Sequence, residues 1–507
     1  MPISGQTASS ITVPAPIGGL NTRDAVDLMP ETDAIRLDNF FPGRSFVTVR
    51  KGFDSHVTGL PSDVETLMPY NSGTTNTLFA ASGTAVYNVT SAGSVGSAVI
   101  TSLNNAKFQF VNMTISGGSY LFICNEGTTD APRHWNGSTW ATPSFSGITA
   151  ANIVSVQVFK ERLFFVQNDS LTYGYLGTGA VAGSVSTVNL GSIFSKGGYL
   201  QNIGTWTRDG GSGPEDSILF YSSEGQLAMY SGTNPASADT WGLVGVYDVG
   251  RPIGRRCILQ QGSDCYLITE RGVVPMTSAL SSGEAAPNLA ITDKISGSYS
   301  TAVENFASVF GWQGIVYPKG GYALFNVPSS TSGDFDQYVI NLETGAWARF
   351  TGQDSFCWAI FNGELYFGGN TKVFKADSGS DDDSTDIISS AKTAFIYYGG
   401  RDGPKRYTAI RPVMQSDANL NVTIGFDVDY ADGTASISSS TGDAGAGSWD
   451  TAAWDVAAWS GSFTTTQTWQ TVANIGWNAA IRIRTSTSAQ SVRWMATDVR
   501  FEKGVGL

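Results

Sequence analysis

Histidine is nearly missing: only His56 and His134 occur in 507 residues. An imidazole-based triad would have to use one of them, and a His-rich metal site is excluded unless carboxylates supply the other ligands. His134 stands beside Trp135 ahead of a turn, with no Gly-x-Ser-x-Gly elbow nearby. Cysteine is scarce too. Cys124, Cys257, Cys265 and Cys357 form no Cys-x-x-Cys pair, which argues against a zinc cluster and against a disulfide framework. Most of them read as small buried side chains of a protein folded in a reducing cytosol. No apolar run reaches the 18 residues that suggest a spanning helix, so no membrane span is expected. The opening MPISGQTASS has no basic stretch followed by an apolar core, so it does not read as a secretory signal. Charge is sparse and acidic, with 30 basic against 43 acidic side chains and a net of -13. No Lys/Arg run supplies the basic face on which tight nucleic-acid binding rests. No Walker sequence appears, and no Gly-x-Gly-x-x-Gly leads from a strand into a helix, so no cofactor is expected.

What the chain does have is glycine, 59 residues of it, together with 41% hydrophobic and 12% aromatic residues. That composition favours many short strands joined by turns, and it supplies enough apolar surface for real cores. From about residue 60 to 377 a short apolar-aromatic segment recurs: Leu78-Phe79-Ala80, Leu121-Phe122-Ile123, Leu163-Phe164-Phe165, Leu219-Phe220-Tyr221, Tyr266-Leu267-Ile268, Leu324-Phe325-Asn326 and Leu365-Tyr366-Phe367. The steps between them are 43, 42, 56, 47, 58 and 41 residues. Asn-Gly turns at Asn136-Gly137 and Asn362-Gly363 mark tight hairpins, because both central positions need positive φ. Units of this size, each holding about four strands, predict a β-propeller. A lone four-stranded sheet cannot bury both faces; a ring of them can. Seven segments predict seven blades, or six if one unit belongs elsewhere, with Phe46–Val49 available to close the ring. Strands of several separate sandwiches are the competing reading.

Helical pattern is scarce. Pro30 and Glu31-Thr32-Asp33 predict one short helix over 31–41, after an extended arm at residues 1–30. The acidic stretch 377–386 reads as a solvated break, with a Ca²⁺ loop as the weaker alternative, since it lacks ordered ligand spacing. The expected division is therefore an N-terminal arm, helix and closing strand (1–59), a propeller (60–377), an acidic linker (378–386) and an all-β sandwich (387–507). In the last part Asp427 and Asp429 share one strand face. They are candidates for a carboxylate pair or a cation site, although ordinary outward-facing residues are the plainer reading. Ser237-Ala238-Asp239-Thr240-Trp241 falls short of the sialidase turn, lacking its glycine and its spacing. Trp449, Trp454 and Trp459 recur every five residues, a spacing that fits neither a straight strand nor one helix stripe. They read as an internal anchor or as an interface, Trp being favoured at hot spots, with a carbohydrate platform as a third choice.

Two stretches carry a resemblance. Pro16-Ile17-Gly18-Gly19-Leu20-Asn21-Thr22-Arg23-Asp24, followed by Met29-Pro30-Glu31-Thr32-Asp33-Ala34 and Leu37-Asp38-Asn39-Phe40-Phe41-Pro42, resembles the opening of the tail nozzle proteins of short-tailed bacteriophages. These are also called tail tubular protein B or stabilisation proteins. The ending, with Lys405-Arg406-Tyr407, Asp427-Val428-Asp429-Tyr430, the Trp cluster and Arg493-Trp494-Met495-Ala496, is similar to phage structural proteins. The resemblance implies a non-enzymatic virion protein, assembled in the host cytoplasm and located in the tail. It implies a homohexameric ring below the head-tail adaptor, near fibre or spike proteins, that holds the packaged double-stranded DNA and lets it pass. Leu20, Asn21 and Arg23 then join the three tryptophans as candidate interface residues. A receptor-binding or fibre-attachment protein recognising host polysaccharide is the alternative, and a propeller hydrolase a third.

Overall fold

The computed structural model describes residues 8–209, 214–282, 289–418, 420–433, 437–440, 463–466, 468–488 and 490–504. Strands dominate throughout, and the helices Met276–Ser282 and Ser296–Phe306 stand between sheets. Among the described residues no helix is long and apolar enough to cross a membrane.

Seven sheets surround one axis. Their innermost strands are Val64–Asn71, Phe108–Ile115, Ile153–Phe159, Leu200–Asp209, Ile258–Gln261, Gln313–Tyr317 and Cys357–Phe361. Each lies against the next, and the seventh lies against the first, which closes the ring. This is a seven-bladed β-propeller. The seven recurring segments all fall in the second strand of a blade, from Asn76–Ser82 in blade 1 to Glu364–Gly368 in blade 7. Those strands have a partner on each side and a blade on each face, so they read as continuous apolar runs. Phe79 packs toward blade 2 with Phe108 and Leu121, while its neighbours Leu78 and Ala80 pack toward blade 7 with Cys357 and Val373. Phe122 then faces blade 3, and Phe164 faces blade 4. The period-2 alternation of a strand is what lets one segment serve two interfaces.

Blade 7 is completed from the other end of the sequence. Lys372–Ala376 pairs antiparallel with Phe53–Thr58, so Phe53–Thr58 closes the ring. The expected closing strand, Phe46–Val49, does something else: Val47–Val49 pairs with Phe40–Pro42 and with Val492–Lys503 in the C-terminal sandwich.

That sandwich has two sheets. One holds Ser9–Pro14, Val492–Lys503, Lys405–Ser416, Gln470–Gly476 and the Phe40–Pro42/Val47–Val49 hairpin. The other holds Asp33–Asp38, Ile387–Thr393, Ala479–Thr487 and Asn421–Val428. Between them lie Trp494, Tyr407, Phe426, Ile483 and Phe501, with the Tyr407 and Phe426 rings 5.1 Å apart. The second sheet continues through Gly19–Leu20 into the outer strand of blade 6, Trp347–Phe350, making one ten-stranded sheet that belongs to both bodies.

Three expectations for the N-terminal region change. The helix over 31–41 is two strands, Asp33–Asp38 and Phe40–Pro42. Ala34 and Leu37 are fully buried by pairing with Ile387–Thr393, and such pairing overrides a weak local preference. From Ser9 the arm is extended, as expected, yet it is an edge strand bound along Pro14–Ser9 to Ala496–Phe501. The described part of 1–59 is therefore no separate unit: residues 8–50 belong with the sandwich and Phe53–Thr58 with the propeller. The stretch 377–386 leads from blade 7 into the strand Ile387–Thr393, and its acids are not all solvated. Asp382 is partly buried against Arg50, and Asp383 accepts from Ser55 and Lys372.

Candidate functional site

The first location to consider is the propeller axis. A small cavity of about 190 Å³ lies there, lined by Thr66, Phe108, Asn202, Ile258, Gln313 and Cys357 from the inner strands. Its end is stoppered. Arg256 donates to the Glu65 carbonyl and to Thr66 Oγ1, both at 2.8 Å. The Phe310 ring is capped by the Arg256 guanidinium at 4.8 Å and by Lys107 Nζ at 4.5 Å. Lys107 also faces Glu65 at 3.7 Å. Burial raises the Glu65 carboxyl, and Lys107 offsets part of that. A double helix, whose major groove alone is about 12 Å wide, has no passage here.

The second location is the junction of propeller and sandwich. A cleft of about 580 Å³ opens between the turns of blades 6 and 7, the 377–380 crossing and strand Val492–Lys503. Its rim carries five basic side chains, Arg50, Lys51, Lys319, Lys375 and Arg493, against the two acids Glu364 and Asp377. Burial pushes the Asp377 carboxyl up, partly countered by Lys51. A narrower recess of about 210 Å³ shares the Thr48–Lys51 wall and runs inward to Phe41, Tyr322, Phe350, Gln353 and Trp358. Phe41 stands edge-on to Tyr322 and Phe350, at 5.8 and 6.2 Å. No pattern in the sequence pointed to this cleft, because its walls come from six separate stretches of chain.

The residues singled out from sequence fall as follows. Leu20 and Asn21 are buried within the chain, 4% and 1% exposed. Asn21 Nδ2 donates to Asp24 and Asp33, each at 2.8 Å, and its Oδ1 caps the Arg23 and Asp24 amides. Arg23 reaches Asp24 at 2.7 Å and also pairs with Asp293. Thr22 N donates to the Lys294 carbonyl at 3.0 Å, and Lys294 Nζ donates to Asp33 at 2.8 Å. Gly19 has φ +87° and passes so close to Trp347 that a Cβ would sit 2.5 Å from its carbonyl oxygen. The motif is thus a joint that rivets the N-terminal strands to blade 6 and to helix Ser296–Phe306. Leu20 and Asn21 are spent on that internal contact, while Arg23 stays half exposed. Trp449, Trp454 and Trp459 lie outside the described residues.

Asp427 and Asp429 are not a free carboxylate pair. Asp427 is buried and held by Lys392 at 2.8 Å, by Arg482 and by the Gly433 amide. Burial raises this carboxyl, but the Lys392 and Arg482 hydrogen bonds win and leave it below the usual range. Asp429 accepts from the Trp477 amide at 2.7 Å. Among the described residues no His/Cys/Asp/Glu cluster has metal-binding geometry. His56 Nε2 lies 3.0 Å from the Val89 carbonyl, and its ring meets Tyr366 edge-on. His134 stacks on Phe122 at 6.4 Å, and burial lowers its pKa. All four cysteines are free and buried, as the sequence suggested, and burial pushes the Cys257 and Cys357 thiols up to about 12. On the outer face of the sandwich the half-exposed Trp469 lies under Arg411 and Arg500, 4.8 and 5.6 Å from its ring.

No family model matches the chain, and no curated protein matches it. Among solved structures it is similar to the Swd1 β-propeller domain of Myceliophteria thermophila, at 12% identity and a TM-score of 0.37, over 65% of this chain and 99% of that one. A putative 6-phosphogluconolactonase of Bacteroides fragilis gives 14% identity and a TM-score of 0.35, over 64% and 89%. The computationally designed Ika8 protein gives 10% and 0.37, over 67% and 95%. Likenesses this weak carry no argument about activity; the propeller assignment rests on the closed ring of inner strands.

Proposed function

We propose that this chain is a structural subunit of a short-tailed phage tail. In this reading several copies, six by the resemblance, form a nozzle ring below the head-tail adaptor. The ring retains double-stranded DNA and lets it pass at ejection. The observation that carries the reading is the joint built by Gly18 to Asp33: the stretch that resembles the nozzle opening is the one that rivets sandwich to propeller. One ten-stranded sheet spans both bodies, and a ring wall needs such stiffness. The stoppered propeller axis bears on where DNA would run. It would follow the symmetry axis between copies, past acidic subunit surfaces that repel phosphate and let DNA slide. The adaptor and the fibre or spike proteins are its partners in this scheme, and DNA contact is transient.

The chain is read as non-catalytic because Asp427, the buried member of the carboxylate pair singled out from sequence, is already neutralised by two cations. Electron microscopy and mass photometry of the purified protein test the proposal. A closed ring with a central opening wider than a DNA duplex is expected; a monomer at all concentrations, on particles as well as free, overturns it. The alternative of a receptor-binding protein is favoured by one feature, the Trp469 ring presented with Arg411 and Arg500 on the sandwich face. Binding to host polysaccharide that is lost in Trp469→Ala, without ring formation, would select that alternative.

A further inference from the structure

The cleft between blades 6 and 7 and the sandwich has a make-up that the tail reading does not use. The chain as a whole is acidic, at -13, yet this cleft is rimmed by five cations and two carboxylates. Three of the cations are engaged by those acids: Lys51 with Asp377 at 3.2 Å, Lys375 with Glu364 at 3.7 Å, and Lys319 with Glu364. Arg50 is spent on Asp382. Arg493 is different. Its guanidinium lies over the Phe463 ring at 4.2 Å and the Phe46 ring at 5.3 Å, and among the described residues it has no carboxylate partner. Stacking occupies the face of a guanidinium and leaves its N–H edge free for a planar or tetrahedral anion.

The inner recess asks for something else. Gln353 lines it and is 3% exposed; its Oε1 is buried and, among the described residues, has no hydrogen-bond partner. Leaving a buried amide unpaired costs about 1–3 kcal/mol, so a hydroxyl brought beside it gains more than it would in water. Around it stand Phe41, Tyr322, Phe350 and Trp358, apolar walls suited to the C–H faces of a ring. A cleft of this volume is of the size that holds small ligands, roughly 300–1,000 Å³.

We infer that the cleft binds a small acidic saccharide: a sugar ring whose hydroxyls reach Gln353 in the aromatic recess and whose carboxylate or phosphate rests between Arg493 and Lys51. This inference rests on the cleft alone and is independent of the tail reading. Its test uses the full chain, titrated at low salt with four probes followed by calorimetry and by the fluorescence of Trp358 and its fellow tryptophans. The probes are a glucuronic-acid disaccharide, glucose 6-phosphate, neutral glucose and inorganic phosphate. At least one acidic sugar is expected to bind saturably, at least tenfold more tightly than both glucose and inorganic phosphate, and to weaken as salt rises. The carboxylate and phosphate arms distinguish the two sources of negative charge. The double variant Lys51→Ala/Arg493→Ala, at one exposed and one partly buried position, is expected to lose at least tenfold in affinity while the protein stays folded at the titration temperature. Gln353→Leu, of similar volume, is expected to remove the preference of the site for the sugar over inorganic phosphate. Inorganic phosphate binding as tightly as either acidic sugar would overturn the inference, since the site would then read charge alone. Absence of binding by every probe, or full affinity in the double variant, would overturn it as well.

Discussion

Arg50 grips Asp382 at two points, Nη1 to Oδ1 at 2.8 Å and Nη2 to Oδ2 at 2.6 Å. The pair ties the chain entering the closing strand of the propeller to the chain leaving its last blade. Arg50 Nε also donates to Asn39 at 2.8 Å and Nη2 to the Thr351 carbonyl at 2.9 Å, so every edge of the guanidinium is used where its side chain is only 1% exposed. Removing the acid leaves a buried cation without its counterion, a change that costs about 3–5 kcal/mol. Asp382→Ala is therefore expected to lower unfolding stability by that amount in urea titration. The charge-free replacement Arg50→Met/Asp382→Leu should recover much of it, as expected when the loss comes from the orphaned charge.

Gly52 sits two residues beyond Arg50, where the crossing chains touch. A Cβ placed there would lie 1.5 Å from the Asp381 carbonyl oxygen. Backbone must move to make room, and overpacking of this kind costs about 1–3 kcal/mol. Gly52→Ala is expected to lower the midpoint of thermal unfolding, whereas Gly254→Ala, with open space around its Cβ, tests the smaller cost of positive φ alone. Equal losses in the two variants would contradict the close-approach argument.

The propeller is closed by a strand that precedes blade 1, which makes ring closure testable by truncation. A fragment of residues 53–377 carries all four strands of blade 7; a fragment of residues 60–377 lacks Phe53–Thr58, which pairs with Lys372–Ala376. The longer fragment is expected to unfold more cooperatively and at a higher temperature. The shorter one exposes the edge of Lys372–Ala376 and should associate, because unpaired edges recruit other strands. Size-exclusion chromatography with scanning calorimetry of the two fragments checks this.

The seven-fold repeat was legible because the second strand of every blade is covered on both faces, which writes an uninterrupted apolar signal at Leu78-Phe79-Ala80 and its six counterparts. The outer strands, half solvated and short, left no such mark. The identity of the closing strand was not legible. Phe46–Val49 reads as the closing strand, and only long-range pairing gives that place to Phe53–Thr58. Asp33–Asp38 misled for the same kind of reason: Pro30 and the acids after it imitate a helix start, and its true partner lies more than 350 residues away, at Ile387–Thr393. The Gly18–Asp24 motif was visible as a motif, but its role was not. That Asn21 points inward at Asp33 follows from the parallel pairing of Gly19–Leu20 with Asp33–Ala34, which no local pattern announces. The cleft, assembled from distant stretches, left no trace in any one of them.

Asp427 links stability to pH with a defined sign. Its carboxyl is nearly inaccessible, and Lys392 and Arg482 close on it from two strands of the sandwich. Burial raises its pKa, and the hydrogen bonds from Lys392 and then Arg482 outweigh that, so the folded protein holds it below the usual carboxylate range. A group whose folded pKa is depressed contributes stability that is complete above its unfolded pKa, about 4. That contribution is lost as pH falls through the lower folded value. Unfolding measured between pH 7 and pH 2 should therefore show the wild-type chain losing stability below about pH 4. Asp427→Asn should be less stable at pH 7, because Lys392 and Arg482 lose a shared counterion, and its deficit should shrink as the pH is lowered. A deficit constant from pH 7 to pH 2 would mean that the ion cluster does not carry the difference, and that the amide merely packs less well than the carboxylate.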